Sequence, residues 1–285
     1  MRKTDMKFGS YECDAIEFGN FFLDGGAMFG VVPKILWEKK IPADDKNFIP
    51  MKARSLLIRG NGKNILVDTG PGRKLSEKMK KQYGIDDLST DANEALSKYG
   101  LSCNDITDVI ITHLHFDHVG GSTIIENENA VPAFPNAKYY LQETQFETAI
   151  NPGPGETSSY AKEDFMPLEE SGVLKMLHGA SQFLDGIEII VTNGHAKGQQ
   201  HPLIMGESAS LFFCADLIPT SAHISLSWRA AYDNYPLTIM SEKEEILSRA
   251  IKENWILFFE HDPFIAAATI RQGRKSIEAD KIFVL

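Results

Sequence analysis

The chain has 285 residues, of which 43% are hydrophobic and 24% are charged. This balance supplies enough apolar side chain for a buried core and excludes an intrinsically disordered chain. The formal net charge of −10 also argues against a nucleic-acid partner, because a polyanion is repelled by such an average field.

Short β-rich runs alternate along the chain with segments of helical periodicity. We predict strands at residues 55–59, 64–67, 109–112, 138–141, 187–192, 203–205, 211–214 and 255–259. We predict helices at residues 91–98, 143–150 and 241–253, the last beginning at a capping box of Ser241 and Glu244. Residues 25–45 and 151–159, rich in glycine and proline, are predicted to be irregular. Because strands and helices interleave without a linker, we expect a single α/β domain over residues 1–285.

The cysteines and the N-terminal sequence indicate the cellular compartment. Cys13, Cys103 and Cys214 form no CxxC pair, which is typical of a reducing compartment without a disulfide framework. No apolar stretch follows the basic residues at the N-terminus, and no run approaches the roughly 20 apolar residues that cross a bilayer. We therefore expect a cytoplasmic protein that has no membrane partner.

A dense run of metal-binding residue types follows the predicted strand at residues 109–112. It reads His113, Leu114, His115, Phe116, Asp117 and His118. Extended residues i and i+2 point to the same side, so His113 and His115 can face one ion. Asp117 and His118 follow in the turn and can face a second ion. Imidazole and carboxylate ligands suit zinc, and also iron or manganese. The alternative, a loop of surface histidines, would be an unusual choice beside a buried strand.

Three later residues stand in a similar setting. His195, Asp216 and His261 each come shortly after a predicted strand. Taken alone, each is also compatible with an ordinary loop residue. Ligands at strand ends from distant parts of the chain are what a sandwich with one metal-bearing edge requires.

An ordered set of motifs carries a family resemblance over residues 53–265. The motifs are VDTG at 67–70, HLHFDH at 113–118, NGHAKGQQ at 193–200, CAD at 214–216 and EHD at 260–262. In this order they resemble the metallo-β-lactamase superfamily. The resemblance implies a four-layer αββα sandwich with metals at one edge of its two sheets. Within the superfamily, the late HD pair and the segment ADLIPT resemble the branch of acyl-homoserine-lactone lactonases and methyl-parathion-hydrolase-like enzymes.

The resemblance also implies a ligand set for two divalent ions, zinc being the first expectation and iron, manganese or cobalt the alternatives. It assigns the first ion to His113, His115 and His195, the second to Asp117, His118 and His261, and a bridging position to Asp216. Asp68 matches an acidic residue that orients a ligand from beneath the site. The equal alternative is that Asp68 only stabilises the tight turn DTGPG.

The function that follows is hydrolysis by a metal-bridging hydroxide, with Asp117 passing a proton to the leaving group. We expect a small-molecule substrate, namely a lactone such as the acyl-homoserine lactone of quorum-quenching enzymes, or an ester. The alternatives are a phosphotriesterase and, outside enzymes, a metal-dependent ligand-sensing protein. A homodimer is compatible with the sequence.

Two positions depart from the resemblance, and both bear on the substrate pocket. Ala215 replaces a glycine before Asp216, and Pro219 stands where homoserine-lactone enzymes have a tyrosine that holds the substrate carbonyl, which puts lactone specificity in doubt. The predicted pocket residues are Met28, Phe29, His223, Trp228 and Tyr232. Core packing or a subunit contact is the alternative for the apolar ones, and an ordinary loop position for His223.

Overall fold

The computed structural model of the protein describes residues 7–85, 91–274 and 276–285. Residues 1–6, part of the segment on which the absence of a signal peptide is predicted, lie outside these ranges. Within the described ranges, no helix combines the length and the apolar character that crossing a bilayer requires.

The first sheet and a small hairpin come from the N-terminal part of the chain. In chain order the strands are β1 (Lys7–Phe8), β2 (Tyr11–Asp24), β3 (Phe48–Gly60), β4 (Lys63–Val67), β5 (Asp108–Ile110), β6 (Thr123–Glu126), β7 (Asn129–Pro132), β8 (Lys138–Gln142) and β9 (Leu174–Leu177). The sheet has the order β1-β2-β3-β4-β5-β8-β9, and β6 pairs with β7 separately. The strands from β1 to β4 are antiparallel, whereas β4, β5, β8 and β9 run parallel.

The second sheet follows in strict chain order. Its strands are β10 (Ser181–Leu184), β11 (Ile187–Thr192), β12 (Gln199–Ile204), β13 (Ser210–Phe213), β14 (Trp255–Phe258), β15 (Ala267–Gln272) and β16 (Ile277–Phe283). Neighbouring strands are antiparallel except β13 and β14, which are parallel and are connected by a helix at Pro236–Lys252.

Helices lie between the strands. They are α1 (Gly25–Phe29), α2 (Lys34–Trp37), α3 (Glu77–Tyr83), α4 (Ala92–Ser97), α5 (Phe116–Val119), α6 (Glu143–Ile150), α7 (Met166–Glu170) and α8 (Pro236–Lys252). The two short helices α1 and α2 lie in the segment 25–45 that was predicted to be irregular. Asp24 caps α1 by accepting a hydrogen bond from the Ala27 amide at 2.8 Å, a local signal that the sequence prediction missed.

The layers follow from the two-residue period of the strands. On β3, Leu56 and Ile58 point into a core between the two sheets, whereas Leu57 points outward. The outer face of the first sheet packs against α4, α6 and α7, and that of the second packs against α8. Helices therefore cover both outer faces, and the predicted αββα sandwich is confirmed.

The longest helix begins earlier than its sequence predicted. We placed its start at a capping box of Ser241 and Glu244, but α8 begins at Pro236 and Ser241 lies inside it, donating to the Thr238 carbonyl at 2.9 Å. The capping-box prediction is therefore wrong. Proline is favoured in the first helical turn, where its missing N–H costs nothing.

Candidate metal centre

The predicted site residues lie in loops that follow strand ends at one edge of the two sheets. β4, β5, β11, β13 and β14 end at Val67, Ile110, Thr192, Phe213 and Phe258. The polar side chains that follow these ends are Asp68, His113, His115, Asp117, His118, His195, Asp216 and His261. The structure brings all of them together, in groups whose ligand atoms lie within 4.8 Å of one another.

One group contains His113, His115, His195 and Asp216. The Nδ1 atom of His115 lies 3.0 Å from Nε2 of His113 and 3.1 Å from Nε2 of His195. The Oδ2 atom of Asp216 lies 3.1 Å from Nε2 of His195 and 3.7 Å from Nε2 of His113. Tetrahedral zinc with metal–nitrogen bonds of about 2.1 Å places neighbouring ligand atoms roughly 3.4 Å apart, so these spacings suit an ion between them.

A second group contains Asp117, His118 and His261. The Nε2 atoms of His118 and His261 are 3.2 Å apart, and the two carboxylate oxygens of Asp117 lie 3.8 and 3.7 Å from them. Asp216 faces this group too, with Oδ2 at 3.4 Å from Nε2 of His118 and Oδ1 at 3.2 Å from Nε2 of His261. Its carboxylate therefore stands where it could contact two ions.

The chemistry of the cluster fits bound cations. Ring nitrogens that face each other at 3.0–3.2 Å repel one another unless a proton or a metal ion lies between them. Asp216 Oδ1 is buried and makes no hydrogen bond of normal geometry within the described part of the chain. A buried, unsatisfied carboxylate oxygen is costly, and a divalent cation would remove that cost. Imidazole with carboxylate is a donor set for zinc, iron or manganese.

Hydrogen bonds at Nδ1 fix two of the imidazole rings. The Nδ1 atom of His118 lies 2.9 Å from Oδ2 of Asp68 and 3.1 Å from Oε2 of Glu260. Asp68 also accepts from the amide and the hydroxyl of Thr112, at 2.7 and 2.6 Å, and that hydroxyl oxygen lies 3.0 Å from Nδ1 of His113. Both rings thereby present Nε2 to the cluster. Asp68 thus makes the contacts expected of a residue that orients a ligand.

The sequence prediction missed the partners of two further rings, those of His195 and His261. Nδ1 of His195 lies 2.9 Å from Oδ1 of Asp233, and Nδ1 of His261 donates to the Lys52 carbonyl at 2.8 Å. No motif marks Asp233, which lies 38 residues from His195 in an irregular segment. Glu260, by contrast, immediately precedes His261 in the motif EHD, so a signal for it was present.

The loop that carries His195 is held by the start of α8. Glu242 accepts from the Asn193 and Gly194 amides at 2.8 and 2.9 Å. A Cβ atom at Gly194 would lie 2.4 Å from the backbone of Ile239, so only glycine allows this close approach. The helix thus positions the loop, and the loop positions the imidazole.

The protein environment shifts the pKa values of these imidazoles in opposite directions. Burial, followed by the neighbouring imidazoles, holds the pKa values of His113 and His115 well below their usual range. Burial also opposes charge on His195 and His261, but the carboxylate of Asp216 outweighs it and raises both pKa values to about 9. An entering cation therefore has to displace protons from His195 and His261.

A cavity of about 320 Å³ opens above the cluster. Its polar floor includes Asp117 and Asp216. Much of the remaining wall is apolar or aromatic, contributed by Leu23, Met28, Tyr83, Phe116, Pro219, Ala230, Ala231 and Tyr232. The predicted irregular segment 151–159 lines the cavity as well, through Gly155, Ser158 and Ser159.

The predicted pocket residues need a correction. Met28 and Tyr232 do line the cavity, but Phe29, Trp228 and His223 lie behind its wall. The ring of Phe29 stacks on His223 with centroids 4.7 Å apart, and Trp228 packs edge-on against Phe29 at 5.7 Å. Both nitrogens of His223 are engaged, with Thr220 Oγ1 at 2.7 Å and the Met28 carbonyl at 2.8 Å, so neither is available to a substrate. Burial lowers the pKa of His223 to about 3, so this ring is neutral.

Comparison with known proteins gives relatives in sequence and in structure. An N-acyl homoserine lactonase of Bacillus thuringiensis is 28% identical over 169 residues, which cover 59% of this chain. The match spans 60% of the length of that curated relative. A crystal structure of a probable metal-dependent hydrolase from Staphylococcus aureus has 30% identity and a TM-score of 0.89, covering 98% of this chain and 99% of the other.

A further structural neighbour is AidC, described as a dizinc quorum-quenching lactonase in complex with a product. It superposes with a TM-score of 0.80 at 20% identity, covering 97% of this chain and 96% of AidC, and therefore shows a shared fold alone. Residues 50–261 match the family described as the metallo-beta-lactamase superfamily. Since this match covers most of the chain, the protein belongs to the metallo-β-lactamase superfamily.

Proposed function

We propose that this protein is a metal-dependent hydrolase that cleaves a lactone or a related carboxylic ester. One observation carries the proposal: two groups of imidazole and carboxylate ligands share Asp216 at the floor of a largely apolar cavity. The lactonase relatives support the choice of a lactone among the substrates of hydrolases.

In this proposal, His113, His115 and His195 would hold one divalent ion, Asp117, His118 and His261 would hold the other, and Asp216 could contact both. When bound, two such ions polarise an ester carbonyl and lower the pKa of a water molecule to around 7. The contacts between ligand atoms, 3.0–3.7 Å in the first group and 3.2–3.8 Å in the second, support this assignment. The identity of the ions is open, with zinc as our first choice.

The protein's own groups then orient the rings and handle protons. Asp233, Asp68 and the Lys52 carbonyl fix the histidine rings before substrate arrives. Asp117 lines the cavity and is 7% exposed, so its carboxylate can take a proton from the attacking water and pass it to the leaving oxygen. Phe21 packs edge-on against His261 at 5.4 Å and excludes water from that side of the cluster.

The cavity wall supports a neutral substrate that has an apolar part. The cavity volume of about 320 Å³ is at the small end of the range for small-molecule sites. Such sites gain most of their affinity from the apolar surface that the ligand buries. No lysine or arginine is among the described residues that line the cavity, and the average field of the chain is acidic, so the protein's own side chains do not favour a negatively charged substrate.

The test combines metal analysis with a substrate panel. Zinc-loaded protein is assayed with an N-acyl-homoserine lactone, an aryl ester and a phosphotriester, before and after chelation. We expect two ions per chain and a preference for the lactone or the ester. His113→Ala should lose metal and activity, whereas His178→Ala, at an exposed histidine paired with Glu143, should keep both.

Each alternative has its own outcome. Full activity in metal-free protein would overturn the proposal. A large preference for the phosphotriester would make the protein a phosphotriesterase. Metal binding without turnover of any substrate, but with a melting temperature raised by a lactone, would support the ligand-sensing alternative.

A further inference from the structure

The wall of the cavity next to Asp216 offers no hydrogen-bond donor at residue 219. Pro219 lines the cavity but has neither an N–H group nor a polar side chain. Its carbonyl oxygen accepts from the His261 amide at 3.1 Å. A substrate that carries a polar acceptor must find its donor elsewhere in the cavity.

Tyr83 supplies a phenol on another part of the wall. Its ring stacks on Phe116, with centroids 4.6 Å apart and planes 22° from parallel, so it stands beside the loop that carries Asp117. Burial, and then the charge of Asp117, raise the pKa of the Tyr83 phenol. The Tyr83 hydroxyl is therefore close enough to interact electrostatically with the Asp117 carboxylate at the cavity floor.

Tyr232 brings a second phenol from the segment before α8. It lines the same cavity and is 44% exposed, which places it at the mouth. Burial, and then the neighbouring Tyr83, raise the pKa of Tyr232 to about 12. Both phenols stay protonated at neutral pH, so both are donors.

These two hydroxyls differ from others in the protein. Tyr11, Tyr99 and Tyr140 each donate to an oxygen of the chain, at 2.9, 3.0 and 3.1 Å. Within residues 7–85, 91–274 and 276–285, the hydroxyls of Tyr83 and Tyr232 have no such partner. Buried tyrosine hydroxyls usually find one, and both of these residues line the cavity.

We propose that Tyr83 and Tyr232 form a subsite that donates hydrogen bonds to a neutral acceptor on the substrate, such as an amide carbonyl attached beside the lactone or ester. The inference rests on the proposed function. A neutral acceptor fits better than an anion, because the described residues that line the cavity include no lysine or arginine to pair with a negative charge. The subsite thus selects among lactones by a group that takes no part in the bond cleaved.

Two lactones that differ in the amide group measure the contribution of the tyrosine subsite to catalysis. We would compare an N-acylated amino lactone with an alkyl lactone of equal ring size and chain length, using zinc-loaded wild type, Tyr83→Phe, Tyr232→Phe and the double variant. Each single variant should lose about 3- to 10-fold in kcat/KM for the amide-bearing lactone and less than about twofold for the alkyl lactone. Tyr99→Phe, which removes a hydroxyl away from the cavity, is the control and should change neither.

Calorimetric binding of the two ring-opened products gives a readout without turnover. The amide-bearing hydroxy acid should bind the tyrosine variants about 3- to 10-fold more weakly than wild type, while the plain hydroxy acid binds all of them equally. If wild type cleaves neither of these lactones nor an aryl ester, the proposed function fails and this binding ratio alone decides the subsite. Equal losses for both compounds, or none for either, would overturn the inference.

Discussion

Replacing Asp233 tests whether the structure identifies the residue that orients His195. Its carboxylate lies 2.9 Å from Nδ1 of His195, and both side chains are buried. Loss of such a partner typically costs 10–100-fold in metal affinity, because the ring can rotate and its basicity falls. We expect a loss of roughly this size in Asp233→Ala at pH 9, and a smaller loss in Asp233→Asn, whose amide keeps the shape.

The loss of metal affinity in Asp233→Ala should be smaller at pH 7 than at pH 9. This direction is specific to a residue that both orients His195 and raises its pKa. With a pKa of about 9, His195 is almost fully protonated at pH 7, so protons compete with the metal by a factor of about 100. Burial opposes that raised pKa, and Asp233 is its second cause after Asp216, so removing Asp233 also weakens the competition from protons. Zinc affinity measured against a chelator at both pH values decides the matter, with Asp185→Ala, an exposed site, as control. A loss that is larger at pH 7 than at pH 9, or below about threefold at pH 9, refutes the reasoning.

The remaining predictions concern proton transfer and two buried lysines. Asp117→Asn should retain most of its metal yet slow turnover by roughly 10²–10⁴-fold, which stopped assays with elemental analysis would show. Lys74→Met should lose about 3–5 kcal/mol of unfolding free energy in denaturant titrations, because it leaves the buried Asp164, 2.9 Å from the lysine nitrogen, without its cation. Burial lowers the pKa of the Lys243 amine to about 7. Above pH 7 the unfolded chain therefore binds more protons than the folded chain, and the free energy of unfolding of the wild type rises with pH. Lys243→Met should lack that rise, about 2 kcal/mol between pH 7 and pH 9.

The metal cluster could be predicted from sequence because its signals are local. The run from His113 to His118 follows a strand directly, and a two-residue period already places alternate side chains on one side. His195, Asp216 and His261 follow strands in the same way. The position of each of these ligands depends only on where a strand ends. Hydrophobic patterning locates that end within a residue or two.

The pocket was harder to predict because loops decide it. Phe29, Trp228 and Tyr232 look alike in sequence, yet Tyr232 lines the cavity while the other two pack behind it. Their difference depends on how α1 and the segment before α8 meet, where the Ala231 amide donates to the Ala27 carbonyl at 2.7 Å. By contrast β2 (Tyr11–Asp24) was missed although its buried and exposed residues alternate, so a closer reading of periodicity would have found it.

The residues that hold the metal and the residues that select the substrate lie in different kinds of segment. Strand ends fix the ligands, whereas the cavity wall comes mostly from loops and short helices. Tyr232 and Asp233 are neighbours in sequence, but one faces the cavity and the other contacts His195. Tyr232→Phe should therefore change substrate preference at unchanged metal affinity, and Asp233→Asn should weaken metal binding while the preference between amide-bearing and plain lactones stays the same. Metal titration and the paired kcat/KM values, measured on both variants, would show the two effects separately.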